Sequence, residues 1–259
     1  MVEYPKVQVS ASIYRSEPWL PMFLQQIEKQ NYPKDCIRYA FSVSPGGDNT
    51  VGMLLDWLKD KQNFYIRCVP SKAEWPARRR MWNAGNYFRR HALEESPETW
   101  RPDYIFVCDS DVITMPPNLI SFLVEKNVDV VAPYVYVSEP TDTGISSGTF
   151  YDSYGFRYLY GPFNFEQYPQ PPWWADWYKE HMGDPLVHAD LEKRLIPMMS
   201  VGVNPVMYKR EVLEKVYYTG DEAIFGFCKA VTAAGFKIWS TPDVETIHSH
   251  ISIYSRPDI

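Results

Sequence analysis

Five consecutive apolar residues, Tyr104–Cys108 (YIFVC), run straight into Asp109-Ser110-Asp111. A strand with one wet face alternates apolar and polar residues, so an unbroken apolar run belongs in the middle of a sheet covered on both faces. Such a strand needs helices above and below it, and the preceding chain supplies them. Val7–Ile13 (VQVSASI) alternates, is β-branched and reads as a strand. Pro18–Asn31 places Leu20, Phe23, Leu24 and Ile27 at helical spacing before Tyr32-Pro33 stops it. Arg38–Ser44 reads as a second strand, followed by the turn Pro45-Gly46-Gly47. Asp48–Lys61 reads as a helix capped by Asp48 or Asn49. Phe64–Val69 is a short strand, and Pro76–Leu93 a long helix with proline near its start. Pro117–Glu125 (helix) and Val128–Val131 (strand) come after the apolar run.

This alternation predicts an α/β chain whose parallel or mixed central sheet is flanked by helices. Residues 138–197 change character, being rich in Tyr, Trp, Pro and Gly with no clean period. Of the chain's 41 aromatic residues, 12 crowd into Tyr151–Tyr178. Regular pattern returns over Met199–Tyr208, then a helix from Asp221 to Ala234 ended by Gly235, and strands at Phe236–Trp239 and Val244–His248. No flexible linker intervenes. We therefore read residues 1–259 as one domain: a first half over 1–135, an irregular aromatic-rich insertion over 138–197, and a closing segment over 198–259.

Ligands of such sheets bind at the carboxyl ends of the strands, here the loops after Ile13, Ser44 and Cys108. Asp109 and Asp111, at i and i+2 in extended backbone, face the same side. Unpaired charge beside a buried strand is costly, and a hard divalent cation ligated by oxygen removes that cost. The competing reading is an Asp/Ser-rich turn that caps the next segment. Arg78, Arg79 and Arg80 point about 100° apart on a helix, so one or two of them can face a given site, where guanidinium groups donate paired hydrogen bonds to oxyanions. The alternative for any one of them is a solvated helix face. Asp221 and Glu222 precede a helix, where acidic residues also serve its dipole. In the aromatic segment, rings bury sugar C–H faces or pack the segment on the sheet. Trp173-Trp174, flanked by prolines, suit a regular core poorly and sugar stacking best.

The segment YIFVCDSDV resembles the DxD segment of GT-A glycosyltransferases, whose carboxylates hold Mn²⁺ or Mg²⁺ on a nucleotide-sugar diphosphate. VQVSASIYRSEPWLPMFLQQIEKQNYP, SVSPGGDNT, RRRMWNAGN and GDEAIFGFCKAVTAAGFKIWSTPDVETIH resemble, in order, successive parts of glycosyltransferase family 2. The segment order is also similar to that of fungal mannan polymerase mannosyltransferases. Where family 2 has an aspartate pair after the second strand, this chain has Ser44-Pro45 and then Asp48.

The resemblance implies a Rossmann-like GT-A fold and a metal-dependent transfer from a nucleotide diphosphate sugar to a hydroxyl of a glycan, glycoprotein or other acceptor. Residues 1–135 then form the nucleotide-sugar half, 138–197 the acceptor side and 198–259 the closing catalytic segment. It implies a metal held by Asp109, Asp111 and His248, with donor contacts from Ser12, Tyr14, Arg15, Asp48, Arg79, Arg80, Asp109 and Ser110. Glu222, or Asp221, would be the base that activates the acceptor. Family 2 implies inversion at the anomeric carbon, whereas the mannan polymerase enzymes imply retention; we read inversion. Two rival classes remain, a nucleotidyltransferase on a similar sheet and a non-catalytic carbohydrate-binding protein. Arg15 without glycines after the first strand counts against the former.

A formal charge of −6 argues against nucleic acid as a partner. No run of residues is long and apolar enough to span a membrane, and MVEYPKVQVS lacks the basic and apolar regions of a signal peptide. The four cysteines are scattered, with no CxxC pair. These features predict a cytoplasmic protein with reduced thiols.

Overall fold

The chain folds as β1 (Val7–Tyr14), α1 (Leu20–Glu28), β2 (Ile37–Ser44), α2 (Thr50–Leu58), β3 (Phe64–Cys68), α3 (Ala77–Arg90), β4 (Tyr104–Val107) and β5 (Val112–Thr114). Next come α4 (Leu119–Lys126), β6 (Val130–Thr141), β7 (Gly144–Phe150), β8 (Arg157–Tyr158), β9 (Ile196–Ser200) and β10 (Val206–Lys209). The last elements are α5 (Arg210–Lys215), α6 (Ala223–Ala233) and β11 (Ile238–His248). This is a computed structural model. It describes residues 3–61, 63–69, 77–141, 144–150, 155–158, 190, 192–202, 205–218 and 223–249, with backbone alone at 77–82, 139–141, 144–150, 157–158 and 223.

The described strands form one mixed sheet in the order β3-β2-β1-β4-β10-β6-β11-β9-β8, with β5 paired to β11 and β7 to β6. β1 is parallel to both β2 and β4, and β2 to β3. β10 runs antiparallel between β4 and β6, which leaves β6 and β11 parallel to β4.

The apolar run explains β4's place. Ile105 and Val107 pack into a core with Ala84, Tyr87 and Phe88 of α3 and Phe227 and Val231 of α6. Tyr104, Phe106 and Cys108 pack into the opposite core, with Leu20, Phe23 and Leu24 of α1 and Leu119, Ile120 and Leu123 of α4. Both faces are dry, so neither tolerates an unpaired polar residue. β1 solves the same problem differently. Its odd residues Val7, Val9, Ala11 and Ile13 enter the α1/α4 core, and Gln8 and Ser10 are buried on the other face. Their polarity is satisfied internally. Gln8 Nε2 donates to Ser10 Oγ at 3.0 Å and to the Phe88 carbonyl at 3.1 Å, and Gln8 Oε1 lies 2.8 Å from His91 Nδ1.

Several elements differ from expectation. The long helix gives way at His91–Glu95 to a π turn, closed by Ser96 N–H donating to the His91 carbonyl at 2.9 Å. The two expected strands after Gly235 are one, β11, whose register on β6 shifts between Thr241 and Glu245. Pro242, which has no N–H to give the ladder, lies within the shift. β6 does not stop at Val131 but continues to Thr141 as a 12-residue strand, and β7 returns along it. The start of the 138–197 insertion is therefore regular. Its β7 sequence, GISSGTF, carries too little apolar pattern to announce a strand. Among the described residues no helix is long and apolar enough to cross a membrane, and the four cysteines form no disulfide.

Candidate active site

The loops after β1 and β4 and the end of β11 meet at the carboxyl edge of the parallel strands. Asp109-Ser110-Asp111 forms a turn between β4 and β5, with Val112 N–H donating to the Asp109 carbonyl at 3.3 Å. β5 then lies antiparallel to β11 with Val112 opposite His248. This short pairing brings the two ends together: Ser249 N–H donates to the Asp111 carbonyl at 2.8 Å, and His248 Nε2 lies 2.9 Å from Asp111 Oδ1.

His248 is 1% exposed. Burial pulls its imidazole towards the neutral form, but Asp111, helped by the Ser249 carbonyl and the charge of Asp109, outweighs burial and raises the pKa above its ordinary value. Nδ1 lies 2.7 Å from the Ser249 carbonyl. A carbonyl only accepts, so Nδ1 carries the hydrogen and Nε2 holds the lone pair whenever the ring is neutral. Asp111 Oδ1 is buried, 2.9 Å from Nε2, and can accept its hydrogen when the ring is protonated. Adjacent ligands on an octahedral divalent ion sit about 3 Å apart. An oriented nitrogen and a carboxylate oxygen at that spacing fit a Mn²⁺ or Mg²⁺ ion. Among the described residues no three His, Cys, Asp or Glu side chains converge as a cation site. The structure therefore brings Asp111 and His248 together and leaves Asp109 outside a three-ligand cluster.

Ser110 faces the other way, towards the loop after β1. Its Oγ lies 2.8 Å from Ser16 Oγ. Ser16 N–H donates to Thr50 Oγ1 at 2.8 Å, and the Thr50 hydroxyl donates to Asp48 Oδ2 at 2.8 Å. Asp48 therefore uses its carboxylate within the chain, also accepting from Glu17 N–H at 3.4 Å. Arg15 adopts a left-handed conformation, φ 48°. Its Nε donates to the Gly46 carbonyl at 3.1 Å and its guanidinium lies 5.4 Å from the Tyr14 ring centre. A Cβ on Gly46 would come within 2.4 Å of Arg15 Cγ, so the crossing of these two loops requires glycine. Ser12, at the half-buried end of β1, pairs in register with Ser42 of β2.

Arg79 and Arg80 fall in the first turn of α3, and their side chains lie outside the described residues. Asp221, Glu222, Trp173 and Trp174 also lie outside them. The chain is described as far as Tyr218, which α3 holds at two points. Asn86 Nδ2 donates to the Tyr218 carbonyl at 2.7 Å, and Tyr218 N–H donates to Asn86 Oδ1 at 3.0 Å. Sequence reasoning missed Ser16 and Thr50. The one available signal was a Ser-Glu-Pro opening of α1, since the Ser16 carbonyl accepts from Trp19 and Leu20 N–H at 3.1 and 2.7 Å.

Comparison with known proteins adds the family. Residues 4–159 match the model of the N-terminal domain of glycosyltransferase family 25. Procollagen galactosyltransferase 1 of Danio rerio is 31% identical over 140 residues, 50% of this chain and 23% of that protein. A glycosyltransferase 25 family member of Aedes aegypti is 28% identical over 144 residues, 51% of this chain and 24% of that protein. The chain thus spans about a quarter of the length of these curated relatives. Among solved structures, the mannosyltransferase PcManGT of Pyrobaculum calidifontis, in complex with GDP-Man and Mn²⁺, superposes with a TM-score of 0.60 at 16% identity. That alignment covers 97% of this chain and 59% of the other. S. aureus TarS 1-349 with UDP-GlcNAc gives 0.54 at 13% identity, covering 95% and 59%. These likenesses establish the GT-A fold expected from the sequence.

Proposed function

Because this chain belongs to glycosyltransferase family 25, we propose that it moves a hexose from a nucleoside diphosphate sugar to a hydroxyl of a glycoprotein or glycan. The observation that carries the reading is the Asp111–His248 pair at 2.9 Å beside the Ser110 turn. It stands at the strand edge where open α/β sheets bind nucleotides. The name of the Danio rerio relative supports galactose as the sugar and a collagen-like protein as the acceptor. The nucleotides in the two superposed complexes support UDP and GDP as first candidates.

Asp111 and His248, with Asp109 two residues away, would hold the divalent cation. Its charge would stabilise the diphosphate as it leaves. Arg80 or Arg79 would add paired hydrogen bonds to the same phosphates. Arg15, held between the first two loops, and Ser12, Tyr14 and Ser110 would line the nucleotide. In the transfer, the acceptor oxygen bonds to the anomeric carbon as the carbon–phosphate-oxygen bond breaks. Its proton passes to Glu222, or to Asp221. A single displacement of this kind inverts the anomeric carbon. Trp173 and Trp174 would stack on the acceptor.

The test is product analysis with UDP- and GDP-hexoses, Mn²⁺ and a collagen-like peptide. The expected products are free nucleoside diphosphate and a glycosylated peptide, with both lost on adding a chelator. Release of pyrophosphate would instead show nucleotidyl transfer. Sugar binding without nucleotide binding would show a carbohydrate-binding module.

A further inference from the structure

Ser16 joins the turn after β4 to the start of α2 through its hydroxyl and its backbone N–H. Ser16 Oγ has the Tyr14 carbonyl 3.2 Å away as one acceptor. The 2.8 Å contact between the Ser16 and Ser110 hydroxyls carries one hydrogen, which either side chain can supply. The branch through Thr50 ends on the Asp48 carboxylate. Charge at one end strengthens such a chain, and burial keeps water from competing with it. Ser16 is 1% exposed and Ser110 6%.

We infer that Ser16 is a positioning residue: by holding the Ser110 hydroxyl it fixes the Asp109–Asp111 turn for a nucleoside diphosphate and its cation. The same residue ties that turn to Asp48 and the start of α2, so the loops after β1, β2 and β4 form one rigid rim. The inference rests on the nucleotide-sugar reading above. Asp48 is linked to the same rim through Thr50, whose hydroxyl donates to its carboxylate.

Isothermal titration of the whole chain with UDP and with GDP, each with Mn²⁺, tests this. The proteins compared are wild type, Ser16→Ala, Ser110→Ala and the double variant, with melting curves to show that all fold. Ser16→Ala is expected to weaken the better nucleotide about five- to tenfold. If Ser16 acts through Ser110, the double variant binds within about twofold of Ser110→Ala. Wild-type affinity in Ser16→Ala, or losses that multiply in the double variant, would overturn the inference and leave the functional reading standing. Should Ser16→Ala fail to fold, Thr50→Val cuts the chain one link further out. It is expected to weaken binding about threefold, and unchanged affinity would overturn the inference equally. A wild-type chain silent towards both nucleotides would bring down the functional reading and the inference together.

Discussion

Two buried histidines show how a single partner sets a residue's chemistry. His248 and His91 are 1% and 2% exposed. His248 faces a carboxylate, and its pKa rises despite burial. His91 faces the neutral amide of Gln8, and burial pushes its pKa down to about 4, with Glu95 opposing and Arg38 assisting. The consequence for His91 is a pH-dependent stability. An unfolded histidine titrates near 6.5. Above that pH both states are neutral there and its full contribution is present. As pH falls from 6.5 towards 4, only the unfolded chain takes up the proton, so stability is lost. At pH 4.5 the loss from this residue is expected to be about 2–3 kcal/mol. Urea unfolding of wild type and His91→Asn at pH 7.5 and 4.5 checks it, because shared carboxylate effects cancel in the difference. Equal pH dependence in the two proteins would contradict the assignment.

At the scale of elements, α3 organises the described side of the closing segment. Gly85 meets the face of Tyr218, whose other side stacks on Phe227 with ring centres 3.9 Å apart and planes 7° from parallel. A Cβ at Gly85 would come within 2.7 Å of the Tyr218 ring. Gly85→Ala gains about 1 kcal/mol of helix propensity, but overfilling a packed site costs about 1–3 kcal/mol. Tyr218 cannot yield, since Phe227 backs its ring and Asn86 holds its backbone. The net expectation is a loss of up to about 2 kcal/mol, read as a lower melting temperature; a higher one would contradict this packing. Elements of this size were partly legible. Leu20, Phe23, Leu24 and Ile27 gave α1 away because all four are buried on one face. β5 was not legible: three residues hold too little pattern, and only pairing with β11 makes them a strand. α5, six residues long, is held by tertiary contact, with Arg89 Nε donating to the Leu213 carbonyl at 2.6 Å.

At the scale of the whole molecule, the sheet came from a local fact. Helices on both faces were required once YIFVC was read as one strand, and β4 lies centrally between parallel β1 and antiparallel β10. The antiparallel entry of β10 was not legible, because strand direction depends on contacts distant in sequence. The site was legible to the same degree. Asp111 and His248 stand far apart in the chain and were paired only through a resemblance to other glycosyltransferases; the β5–β11 ladder supplies the physical reason they meet. Beyond the Ser-Glu-Pro opening of α1, Ser16 and Thr50 gave no sign of their role, because it lies in partners from separate segments. The central claim is that this edge of the sheet is a cation–diphosphate site. An anomalous difference map from crystals grown with Mn²⁺ and UDP or GDP tests it most directly. The account predicts a manganese peak bonded to both Asp111 and His248 with the diphosphate beside it. A peak at other residues, or nucleotide bound away from the β4–β11 edge, would contradict it.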